Sequence, residues 1–169
     1  MGSLPTPASW TDRQSDETRS FFQARIASYL LIYGSVGGSF LLMRVLVPAA
    51  TGLSVARELA EPSFLAHLAG VSCSLGGFAL VRRGRASVDT LERIETIALV
   101  AAMSAYAVMG LFLPLSASSQ ETVMLALSFG LFARAIYVPS SARRSLVLGL
   151  SIALVHLCAA AIAPFRPAL

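Results

Sequence analysis

The sequence predicts an all-α protein, a polytopic transmembrane helix bundle of about five spans with short loops. Three observations carry this expectation. Hydrophobic residues make up 56% of the chain and charged residues 13%, against about 45–50% and about 25% in ordinary soluble domains. The apolar residues fall in continuous runs of about 18 residues or more, long enough at about 1.5 Å per residue to cross a hydrocarbon core of about 30 Å. These runs lack the period-two alternation of an outer-membrane barrel, and a helix satisfies its own backbone hydrogen bonds in lipid.

Residues 1–24 are polar and rich in Ser, Thr, Pro and Asp, and read as a disordered tail ending in an interfacial turn, with Phe21 and Phe22 at headgroup level. The transmembrane domain covers 25–164. Its first span, about 26–47, grows from the uncharged run 26–43. A cleavable signal peptide fits poorly, because the leader is long and carries Asp12, Asp16 and Glu17. The second span, about 62–81, is closed by Arg82, Arg83 and Arg85. Asp89 and Glu92 then have the spacing of a capping box, so this loop is expected to become helical and run into the third span, about 96–113, which stops near Pro114. The fourth span is about 121–138. The fifth, about 145–163, is stopped by Pro164 and Pro167 and leaves a short tail at 165–169.

All thirteen basic residues are arginine. They sit in ones to threes at the ends of apolar runs and form no stripe, so orientation explains them better than nucleic acid does. Arg13, Arg19, Arg25, Arg82, Arg83, Arg85, Arg93, Arg134, Arg143 and Arg144 share one side, and only Arg44, Arg57 and Arg166 the other. This asymmetry in short loops places the N-terminus in the cytoplasm of a bacterial inner (plasma) membrane. With five spans, the last residue then emerges outside. The absence of lysine excludes a complete P-loop or protein-kinase site. Cys73 and Cys158 lie in apolar runs without metal-ligand spacing and read as packing residues.

No Asp or Glu falls deep within a span on this reading, which weighs against a proton-coupled transporter. His67 and His156 share the outer leaflet and are the candidate ligands for a haem or metal. With no third ligand, hydrogen bonding to neighbouring helices is the simpler role, and no cofactor, metal site or catalytic residue is expected. Gly34 with Gly38, and Ser72 with Gly76, form small-x-x-x-small faces suited to close helix packing. Arg134 lies about four residues, roughly 6 Å, from the end of its span, within reach of the headgroups by snorkelling. Ser140 and Ser141 beside Pro139 fit a tight turn.

The stretch "FARAIYVPSSARRSLVLG", taken with "RRGRASVDTLERIETIAL" earlier in the chain, resembles the multi-span N-terminal membrane region of bacterial membrane-bound serine/threonine protein kinases. Similar regions occur on nucleotide-cyclase-type signalling proteins. The distinctive residues are Arg134, Ala135, Val138, Pro139, Ser140, Ser141, Arg143 and Arg144, in a turn expected on the cytoplasmic side. The kinase Gly-rich loop, its lysine, H-R-D and D-F-G are absent, so the resemblance implies a non-catalytic sensor or anchoring module, as a fragment or a free-standing relative. Expected partners are the lipid bilayer and either a second copy of the chain or a signalling kinase. The alternatives are a small transporter or channel-like bundle, and a His-ligated haem or metal protein.

Overall fold

A computed structural model describes residues 7–84, 86–113 and 117–162, with side chains over 16–84, 86–113 and 121–162. Six helices occur among them, and no strand: α1 (Pro7–Thr51), α2 (Val55–Ala60), α3 (Pro62–Arg83), α4 (Val88–Phe112), α5 (Ala117–Tyr137) and α6 (Ala142–Ile162). The all-α bundle is as expected. The proposed stops at Pro114, Pro164 and Pro167, together with Arg85, Arg166 and the tail 165–169, lie outside the described residues.

The segment expected as a disordered tail is helical from Pro7 onward and continuous with the first apolar run. Contacts remote in sequence hold its end in place. Phe22 is buried in the core, and only Phe21 faces outward. The Gln23 amide donates to the carbonyls of Val81 at 2.6 Å and Gly84 at 2.9 Å. Arg25 donates to those of Tyr137 at 2.7 Å and Ile136 at 2.6 Å. Val81, Ile136 and Tyr137 stand in the last turns of α3 and α5, where a helix leaves its carbonyls without partners. At the far end of α1, Gly52 adopts φ +74°, and the Leu53 amide bonds back to the Pro48 carbonyl at 2.9 Å. That left-handed cap is open to glycine at little steric cost and turns the chain sharply into α2.

The start of α4 also differs from expectation. Its N-cap is Ser87, whose hydroxyl accepts from the Thr90 amide at 3.2 Å. Asp89 therefore sits inside the first turn, where a carboxylate favours the positive end of the helix dipole.

Helix α4 is the centre of the bundle and packs on α1, α3, α5 and α6, whereas α6 packs chiefly on α4. The core contains Ile26, Tyr29, Leu30 and Tyr33 of α1 and Leu99, Met103 and Tyr106 of α4. Large apolar side chains such as Leu125, Phe132, Leu150 and Leu157 point outward, a surface suited to hydrocarbon and not to water. Four stretches are long and apolar enough to cross a bilayer: Asp16–Thr51, Pro62–Arg83, Val88–Phe112 and Ala142–Ile162. Helix α5 carries the remaining apolar run, giving four to five spans in a membrane-embedded bundle.

Close helix approach uses only part of the expected set of small residues. A Cβ on Gly34 would lie 2.7 Å from Leu75 Cδ2. On Gly38 it would meet only Val71 at an ordinary 3.9 Å. Gly76 faces open space and Ser72 is exposed. The side of α3 turned into the bundle carries Gly70, Ser74 and Gly77 instead, and a Cβ on Gly77 would come within 2.6 Å of Ala98 Cβ. Residues 72 and 76 lie about 100° or more round the helix from that side.

Candidate functional site: a buried arginine–glutamate joint

At one end of the bundle, the start of α4, the end of α5 and the start of α6 meet around a single carboxylate. Leu91, Glu95, Ala98, Leu99 and Ala102 form one buried stripe of α4 at helical spacing, and Glu95 is wholly buried. Arg134, in the last turn of α5, donates from Nε to Glu95 Oε1 at 2.6 Å. Only 3% of its side chain is exposed. Arg134 therefore does not snorkel to the headgroups. It turns inward, because its counter-charge lies on the neighbouring helix.

The rest of the turn closes over this pair. Val138 donates its amide to the Arg134 carbonyl at 2.8 Å, and Pro139, which has no N–H, ends the helix there. Arg134 Nη1 donates to the hydroxyls of Ser140 at 3.2 Å and Ser145 at 3.3 Å, and these two are 2.8 Å apart. Ser141 caps α6 by accepting from the Arg144 amide at 3.2 Å. Arg144 then reaches α4: its Nη2 lies 2.7 Å from Glu95 Oε2, 2.7 Å from the Glu92 carbonyl and 2.9 Å from Thr96 Oγ1. Its Nη1 forms an ion pair with Glu92 Oε1 at 2.7 Å. Both oxygens of Glu95 are thus taken by guanidinium groups from two other helices. Such a pair resists the cost of desolvation only while all its partners are in place.

Of the turn residues singled out in the sequence, Arg134 and Arg144 converge on Glu95, Ser140 accepts from Arg134, Ser141 caps α6, and Pro139 and Arg143 are exposed. From the sequence, Glu92 is a capping-box residue, and Glu95, Thr96 and Ser145 carry no site role. Glu95 stands one residue before the expected start of the third span, in the stretch expected to run helically into it. Its place on the apolar stripe of α4 is the signal that marks it.

Above the joint, Tyr29 stacks on Tyr33 with ring centroids 6.1 Å apart, and Tyr33 meets Tyr106 edge-on at 5.9 Å. Tyr106 in turn meets His67 at 5.5 Å. His67 Nε2 is 3.0 Å from the Gly37 carbonyl and acts there as an N–H donor. His156 is half-buried on α6, and α3 and α6 share no extended interface. Among the described residues, no three His, Cys, Asp or Glu side chains gather into a metal-binding group.

The arrangement is suited to mechanical coupling. It ties the α5–α6 turn to the central helix through charge-assisted hydrogen bonds. No family model, curated protein or solved structure matches this chain.

Proposed function

We propose that the chain is a membrane sensor or anchoring module of a bacterial signalling protein, non-catalytic in itself, with its N-terminus and the α5–α6 turn on the cytoplasmic face of the inner membrane. The observation that carries this reading is the convergence of Arg134 and Arg144 on Glu95. A module that passes a signal needs a stiff connection between helices at the face where its partner works. Here displacement of α6 must either carry α4 with it or break two ion pairs. The excess of arginine on this side supports the orientation, and the resemblance of the turn to kinase-linked membrane regions supports the partner class.

In-membrane cross-linking from residues placed beside Arg83 and Arg143 tests it. A protein bearing a kinase or cyclase catalytic domain is expected, and less of it with Glu95→Gln. Alkaline phosphatase fused after Gly84 or Arg144 should be inactive; activity at both points would invert the orientation.

One observation favours a second reading, a small proton-linked transporter. Glu95 is a buried carboxylate whose charge acts on buried Tyr29, and the Tyr29 hydroxyl has no hydrogen-bond partner among the described residues. Proton uptake by proteoliposomes, lost with Glu95→Gln and accompanied by no signalling partner, would select the transporter over the signalling module.

A further inference from the structure

The joint leaves one cation over. Glu92 and Glu95 pair with Arg134 and Arg144. Arg143, exposed in the first turn of α6, has no ion-pair partner among the described residues. It lines an open cleft of about 350 Å³ between α4 and α6, together with Thr96, Ser141, Arg144, Val147 and Leu148. Thr96 and Ser141 each accept a hydrogen bond from Arg144, so each hydroxyl proton remains free to be donated. The cleft lies at the N-terminal end of the 21-residue α6, the positive end of its dipole.

Polarity along the cleft has a direction. Helical spacing puts Val147 below Arg143 and Leu148 below Arg144, one turn towards the apolar middle of α6. Val147 is exposed and Leu148 forms the floor. The cleft thus runs from cation and hydroxyls to hydrocarbon, the order of groups along a phospholipid.

We propose that this cleft binds one anionic phospholipid, with its phosphate on Arg143 and the hydroxyls of Ser141 and Thr96, and an acyl chain descending along Val147 and Leu148. Basic pockets between membrane helices near the surface take such headgroups. The site requires that α6 cross the bilayer, and it does not depend on the signalling role.

The test is native mass spectrometry of the full chain in mild detergent, titrated with phosphatidylglycerol, with phosphatidylcholine of the same acyl chains, and with glycerol phosphate alone. Phosphatidylglycerol is expected to bind best. Arg143→Ala should weaken it roughly fivefold, Arg143→Lys should restore most of the loss, and Arg83→Ala, which removes the same charge from the end of α3, should leave it unchanged. An unaltered melting temperature in Arg143→Ala separates lost binding from lost folding. Equal binding of the two lipids, equal loss in Arg83→Ala, or binding of glycerol phosphate as tight as that of the lipid would each overturn the proposal.

Discussion

The two ends of the bundle are both tied by an arginine and a glutamate, and the two ties differ in kind. At the α2 end, Arg44 lies 2.6 Å from Glu58 and 2.8 Å from Ser63 and sits over the Phe64 ring at 5.5 Å. These side chains are 22% and 26% exposed, and the partners are 14 residues apart. At the α5–α6 end, Arg134 and Glu95 are 3% and 0% exposed and 39 residues apart. The same chemistry is therefore a half-open clasp on a local hairpin in one place and a sealed lock between remote helices in the other. Burial decides the difference: water that screens the first pair is excluded from the second, where a lost partner leaves a charge with nothing to replace it.

Breaking the buried lock gives the largest effect. Glu95→Ala strands Arg134 and should cost about 3–5 kcal/mol in unfolding, read by titration into denaturing detergent. The pair Glu95→Leu with Arg134→Met should recover much of that loss, since the most buried guanidinium is then gone and Arg144 keeps the Glu92 carboxylate. A loss under about 1 kcal/mol for Glu95→Ala would mean that the two ends are alike.

Overpacking tests the walls between those ends. Gly77→Leu drives α3 off Ala98 and should destabilise by about 1–3 kcal/mol or more, whereas Gly76→Leu, one residue along and facing open space, should change little. Equal effects from the two would show that the face of α3 turned to α4 is misassigned.

The smallest effect belongs to the open clasp. Glu58→Ala should cost about 0.2–1 kcal/mol, and 0.5 M salt should remove most of it while leaving the Glu95→Ala loss almost unchanged. Salt thus separates the two ties even where their absolute energies overlap.

What could be read from the chain in advance was whatever is local along it. The apolar runs behind α1, α3, α4, α5 and α6 follow from continuous hydrophobicity and length, and the stop at Arg82 and Arg83 and the bend at Pro139 follow from residue chemistry at single positions. These are one-dimensional properties, since a helix in lipid closes its hydrogen bonds within its own sequence. Facing is different, because it depends on which surface a neighbour offers. The small residues of α3 could be paired at several spacings, and only the positions of α1 and α4 select Gly70, Ser74 and Gly77 over Ser72 and Gly76. Helical order before the first run came from carbonyls at the ends of α3 and α5, which Gln23 and Arg25 reach across the fold. Arg134 shows the limit most clearly. Seen alone, a guanidinium about one turn from the end of a span has the headgroups within reach; with Glu95 beside it, the inward position is better, and only the tertiary structure brings that carboxylate across.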